Sequence, residues 1–332
     1  MNRTATVLLT ALAPVSWGTT YYVTTELLPP GRPLFTALIR ALAAGLLLLA
    51  VARKLPHGVW WGKAAVLGAL NIGAFFPLLF LAACRLPGGT AAVVGSVGPL
   101  VVAGLSVPLL GRRPTVRTLL TGVVAVAGVG LVVLRAAGAL DTVGLLAALA
   151  STVSMSTGIV LTKRWGSPAG TGPLALAAWQ LTAGGLLVAP LALLAEGAPP
   201  ALDARAVAGY LYLTLAGTAV AYWLWFRGIA RLSATQVTFL APLSPLTAAV
   251  VGWAALGQGL TAVQLLGMAL AFGATVAGQL PGRRPAAAAP PAGPAAAAAV
   301  TPAAVPVAAG RGRAGTSSPR AALPWKDGAT HP

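Results

Sequence analysis

One residue in this sequence carries a charge where charge is expensive. Arg40 lies about six residues inside the apolar run from Leu34 to Ala52, roughly 9 Å deep if that run is a helix rising 1.5 Å per residue. A guanidinium there can hold a substrate carboxylate or brace an interface. It can also snorkel to the headgroups or bond a helix carbonyl. Glu26 stands beside Pro29-Pro30 and reads as a surface carboxylate, and no Asp or Glu lies at the centre of an apolar run. Proton antiport therefore has no evident carrier. The two histidines, His57 and His331, are too few for a histidine metal centre. Cys84 is the only cysteine and excludes a disulfide or CxxC site within the chain. No nucleophile–base pair is visible, so an enzyme is not expected, and neither a metal nor a cofactor is called for.

The remaining polar chemistry is neutral. Trp17, Tyr21, Tyr22, Trp179, Tyr222, Trp223 and Trp225 lie in apolar runs, where rings line a pocket by stacking and cation–π contact or form an interfacial belt. Trp60, Trp61 and Tyr210 fall near run ends and are assigned to the belt. Asn71 and Gln180 are the better cavity candidates among the buried amides and hydroxyls, most of which serve helix–helix hydrogen bonds. The candidate substrate-binding residues are thus Trp17, Tyr22, Arg40, Asn71, Gln180 and Tyr222. Pro99 and Pro245, which free carbonyls as Pro77 and Pro242 also do, are candidate hinges.

Long apolar elements must position these residues. Of 332 residues, 57% are hydrophobic and only 8% charged, with 22 Lys+Arg against 5 Asp+Glu. Soluble domains carry roughly 25% charged residues, and basic nucleic-acid binders are rich in charge, so no nucleic-acid partner is expected. The chain reads as an all-α polytopic membrane protein whose partners are the lipid bilayer and a small-molecule substrate. Crossing takes about 20 apolar residues. Ten stretches approach that: Ala5–Thr25, Leu34–Ala52, Ala64–Cys84, Thr90–Leu110, Thr118–Leu134, Thr142–Leu161, Pro173–Leu194, Ala206–Phe226, Ala234–Leu256 and Thr261–Leu280. The first is too long, and lacks too clearly a small-residue cleavage site, to be read as a signal peptide.

With the N-terminus inside, the inner loops hold 11 Lys+Arg and the outer loops 4, with Arg40 in a span and 6 in the tail. That bias predicts a multi-pass protein of the cell membrane with both termini cytoplasmic. Residues 281–332 form an Ala/Pro/Gly tract with scattered Arg and read as a disordered cytoplasmic tail. The ladder Ala269, Gly273, Ala277 reads as close helix packing and a candidate homodimer face.

The chain also repeats. A shift of 146 places Phe80 on Phe226, Arg85-Leu86 on Arg231-Leu232, Pro99-Leu100 on Pro245-Leu246, Gly111 on Gly257 and Thr115 on Thr261. A shift of 140 places Arg40 on Gln180 and Gly45-Leu46-Leu47 on Gly185-Leu186-Leu187. Each copy holds five spans. Five being odd, the second copy enters from the opposite face, giving two inverted five-helix repeats, residues 1–134 and 135–280, a plan recurrent in secondary transporters. No GxxxxGK[ST] loop for ATP is present.

On these residues the chain resembles the EamA family of the drug/metabolite transporter superfamily. Ser16-Trp17-Gly18-Thr19, Arg40, Pro99 through Leu109-Leu110-Gly111, and the run Thr115 to Gly130 look like a first EamA repeat. Thr218 through Arg227, Pro242-Leu243-Ser244-Pro245, Gly257 and Leu265-Leu266-Gly267 look like a second. The resemblance, over residues 5 to 280, implies a ten-helix exporter of small metabolites, often amino acids, or of drugs. It departs where the family often has Gly-Glu: here stand Gly111-Arg112 and Gly257-Gln258, so no coupling role of those acids carries over. The second Trp-type motif is degraded to Ser154-Met155-Ser156. A multidrug or cation efflux pump is the alternative on the same fold. A non-transporting scaffold or a membrane enzyme is the alternative of another class.

Overall fold

In a computed structural model of the chain, residues 2–86, 94–133, 141–257 and 259–280 are described. The expected tail, Arg135 and Gln258 lie outside them. Every regular element among the described residues is helical: α1 (Arg3–Gly18), α2 (Thr20–Leu27), α3 (Pro33–Ala52), α4 (Trp60–Gly68), α5 (Phe75–Arg85), α6 (Gly98–Leu110), α7 (Val116–Val133), α8 (Thr142–Trp165), α9 (Pro173–Glu196), α10 (Ala204–Thr214), α11 (Ala221–Arg231), α12 (Ala234–Thr238), α13 (Leu243–Leu256) and α14 (Ala262–Gln279). Among the described residues, seven helical stretches are long and apolar enough to cross a membrane, and α6 and α7 are shorter apolar helices. Helices satisfy their own backbone groups, which is why an apolar chain bound for lipid adopts them.

Several expected spans are not one continuous α-helix. Thr19 separates α1 from α2, so the first apolar run is two helices. Residues 239–242 turn through i→i+3 bonds, splitting α12 from α13. A π turn at Ala69–Gly73 joins α4 to α5, and another at Leu215–Val220 joins α10 to α11. The two π turns begin 146 residues apart, the spacing of the sequence repeat. The caps obey it too. Gly111 and Gly257 end α6 and α13 in the left-handed region, with φ 64° at both, where a Cβ would be strained. Leu86 and Leu232 end α5 and α11 in extended conformation.

Packing follows an exchange pattern. The closest pairs are α3 with α9 and α7 with α14, while α1 lies on α11 as α5 lies on α8, and α13 lies on α1 as α6 lies on α8. The α3–α9 pair is tight because both helices present glycine. A Cβ on Gly45 would come within 2.5 Å of the Thr182 nitrogen, and one on Gly185 within 2.8 Å of the Leu42 nitrogen. Both ends of the pair are clamped. At one, Glu196 accepts from the Leu34 and Phe35 amides at 2.6 and 2.8 Å, while Arg32 donates to the carbonyls of Glu196 and Ala198. At the other, Lys54 donates to the Gly170 carbonyl, and Trp179 Nε1 donates to the Lys54 carbonyl at 2.7 Å.

Two expectations about packing change. Trp60 and Tyr210, assigned from their positions to a headgroup belt, are buried within the protein, Trp60 against Trp179 and Tyr210 edge-on to Phe35. Hydropathy along one helix cannot see the ring of a neighbour. In the ladder Ala269, Gly273, Ala277, the first two are exposed and Gly273 has nothing among the described residues within 4 Å of where a Cβ would stand, while the Ala277 carbonyl accepts from Arg117 of α7. The close approach to α7 uses Gly267 and Ala271 instead, with Gly128 opposite them.

Candidate functional site

Arg40 is 4% exposed, so it does not snorkel. Its Nε donates to Thr218 Oγ1 at 3.0 Å and its Nη2 to the Gly217 carbonyl at 3.1 Å. Both acceptors lie in the second π turn, where the widened helix releases a carbonyl from the regular ladder. The guanidinium also sits over the Phe76 ring, 5.3 Å from its centroid. All three partners are neutral. Among the described residues the single ion pair is Arg85–Asp141, far along the chain at a helix end. Glu26, Asp141, Glu196 and Asp203 all stand at helix termini or in connections, none beside Arg40.

An aromatic cluster adjoins this cation. Trp17, at the α1–α2 break, lies 5.2 Å from Tyr222 and 5.1 Å from Trp225 between centroids, and Tyr222 lies 6.0 Å from Phe226. Tyr222 lies four residues beyond Thr218, the partner of Arg40, just past the second π turn. The indole Nε1 of Trp17 is buried and has no acceptor. The site thus offers donors and ring faces, and its one formal charge is positive.

Separately, Asn71 Nδ2 donates to Gln180 Oε1 at 2.7 Å, both residues buried to 2% or less exposure. Asn71 lies in the first π turn, and Ser154 Oγ donates to the Leu70 carbonyl of that same turn at 2.8 Å. Gln180 Nε2 is buried without an acceptor. By the repeat spacings Gln180 is the mate of Arg40 and Gly217 the mate of Asn71. In each case a polar side chain of α3 or α9 therefore reaches the π turn of the opposite half.

The structure accordingly gathers Trp17, Arg40 and Tyr222 in one place and Asn71 with Gln180 in another. Tyr22 belongs to neither: it packs on the cluster of Val23, Phe35, Tyr210 and Leu213. Pro99 lies in the first turn of α6, where no helical hydrogen bond is lost, and Pro245 is the third residue of α13. Gly217 and Phe76 were not singled out from the sequence, and Thr218 entered only as the start of a family-like run, not as a site residue. The repeat carried the signal for Phe76, which lies 146 residues before Tyr222. The pairs Phe76–Phe80 and Tyr222–Phe226 have centroids 6.1 and 6.0 Å apart.

The EamA-like transporter family matches the chain twice, over residues 4–134 and 142–277. Protein PecM of Dickeya dadantii (strain 3937) is 45% identical over 266 residues, covering 80% of this chain and 89% of PecM. The inner membrane transporter YedA of Escherichia coli (strain K12) is 28% identical over 272 residues, covering 79% of this chain and 86% of YedA. A solved crystal structure shares the fold with a TM-score of 0.71 at 19% identity, over 83% of this chain and 96% of that one. Two family matches laid end to end along a chain of membrane-crossing helices fit a transporter rather than an enzyme, and the protein belongs to the EamA-like transporter family.

Proposed function

We propose that this transporter is a secondary carrier exporting small metabolites, amino acids among them, by alternating access between two inverted five-helix halves. Ten crossings with both termini cytoplasmic complete that reading. The matched π turns, the matched caps and the exchanged helix contacts support the inverted pair, because related contacts exchange partners between halves. Two such halves rock against each other without a hydrolytic motor.

The observation that carries the substrate reading is Arg40, a buried cation held by neutral groups of the opposite half and lacking a carboxylate. A buried charge is costly unless compensated, and a solute carboxylate supplies the compensation. Trp17 and Tyr222 then take the solute's apolar body, with Asn71 and Gln180 across the interface and Tyr22, Pro99 and Pro245 at the moving edges. The same rings suit a cationic drug, but Arg40 repels one, which favours a carboxylate-bearing solute. Flux of labelled amino acids and of a labelled cationic drug into liposomes containing the purified protein tests this. Amino-acid flux above protein-free liposomes is expected; drug flux alone overturns the substrate reading, and no flux of either overturns transport of these classes.

A further inference from the structure

Buried hydroxyls in this chain are mostly satisfied by their own helix. Thr10, Ser106 and Thr275 each donate to the carbonyl four residues back, at 2.6 to 2.9 Å. Three side chains around the α1–α2 break are not satisfied. Ser16 Oγ, Trp17 Nε1 and Thr20 Oγ1 are all buried, and none has a hydrogen-bond partner among the described residues. Ser16 and Trp17 close α1 and Thr20 opens α2, so the three border one break. The break itself strands Thr20. The carbonyl four residues back is that of Ser16, and the Thr19 amide and hydroxyl take it at 3.3 and 2.8 Å. Of the seven buried side-chain polar atoms left unpaired among the described residues, the other four are scattered over α9, α10 and α14.

We propose that Ser16, Trp17 and Thr20 form a hydrogen-bonding subsite for a carbonyl oxygen of the transported solute. That solute is then a carboxylate that also carries an amide or keto group, as an N-acylated amino acid does. The proposal rests on Arg40 taking the solute's carboxylate. The two groups share a neighbourhood: Trp17 lies 5.2 Å from Tyr222 between centroids, and Tyr222 stands four residues after Thr218, which bonds Arg40. Buried polar groups without partners are rare and costly, so three at one break mark a place where an outside acceptor binds. An indole N–H only donates, so it calls for an acceptor rather than an ammonium. The acids among the described residues stand at helix termini or in connections, so a free ammonium finds no carboxylate here. Acylation removes that charge and supplies the oxygen.

Isothermal titration calorimetry of the full-length protein in detergent, with N-acetyl-L-phenylalanine and with 3-phenylpropanoate, tests the subsite. Both compounds carry a carboxylate and a phenyl ring; only the first carries an amide. N-acetylphenylalanine is expected to bind about tenfold tighter, the effect of one buried hydrogen bond. That preference should fall below about twofold in W17F and in S16A/T20V. The near-isosteric S16A/T20V, which removes only unpaired hydroxyls, carries the test if W17F fails to fold. T182V deletes a buried unpaired hydroxyl of α9, against Gly45, and should keep the full preference. Equal affinities in the wild type, a preference that survives W17F and S16A/T20V, or one that falls equally in T182V overturns the subsite. Loss of both compounds in R40Q would in that case leave the carboxylate reading standing. Binding unchanged in R40Q overturns the carboxylate reading instead, and binding of neither compound overturns both.

Discussion

The two halves reach into one another through the same contact built with different chemistry. From α3, Arg40 meets the second π turn as a cation, bonding Thr218 and Gly217. From α9, its mate Gln180 meets the first π turn as a neutral amide, bonded by Asn71. The backbones correspond; the charges do not. At the Gln180 joint a side-chain amide supplies the hydrogen bond, and both partners are neutral. At the Arg40 joint the mate of Asn71 is glycine, so the guanidinium takes a backbone carbonyl and stays uncompensated. The difference suggests a division of labour: one joint holds the halves together, and the other is poised for an external anion.

Making the joints alike tests that division most severely. Arg40→Gln gives the first joint the chemistry of the second. A hydrogen-bonded ion pair with a buried partner is worth about 2–5 kcal/mol, so flux of a carboxylate-bearing solute in proteoliposomes should fall about thirtyfold or more. Membrane insertion and the unfolding midpoint in detergent should hold or rise, because a lone buried charge is removed. Unchanged flux would make Arg40 a brace and the two joints equivalent.

A smaller effect is expected at the second joint. Gln180→Leu strands the Asn71 amide in a buried position and should cost about 1 kcal/mol, read as a lower unfolding midpoint. Adding Asn71→Leu should recover part of that loss, since no polar group is then left unpaired. The double-mutant cycle over these two positions isolates the bond itself. A coupling of zero would remove the structural role assigned to this joint.

Much of this symmetry was legible in the chain. The 146-residue spacing read from Arg85-Leu86 and Arg231-Leu232 recurs in caps, π turns and aromatic pairs, because a duplicated sequence meets the same local physics twice. Arg40 stood out for the cost of charge in an apolar run. Its partners did not, since a π turn has no residue signature and Thr218 is one threonine among many. That Asn71 bonds Gln180 depends on how α4 and α9 sit, which no single helix encodes. Trp60 and Tyr210 were misplaced for the same reason. Tyr22 packs on the cluster around Val23, Phe35 and Tyr210 rather than with Trp17, the helix being broken between the two at Thr19.

The faintest asymmetry between the halves lies at their first residues. Asn2 caps α1 by accepting from the Ala5 amide at 2.9 Å, and Asp141 caps α8 by accepting from the Gly144 amide at 2.7 Å. The caps are the same contact, neutral in one half and ionised in the other. Both residue types cap well, so Asp141→Asn should leave the midpoint nearly unchanged at any pH where the carboxyl would be protonated. The Gly144 amide foremost, and then Arg85, hold the Asp141 carboxyl below its ordinary value of 3.8. A group lowered on folding adds stability that is present above that ordinary value and lost as pH falls through the lowered one. The unfolding midpoint of the wild-type chain should therefore drop more steeply between pH 5 and 3 than that of Asp141→Asn. The other acids titrate in both proteins, so the difference between the two curves reports Asp141 alone. Superimposed curves would mean the ionised cap contributes no more than the amide does, and that the halves begin alike in energy as well as in geometry.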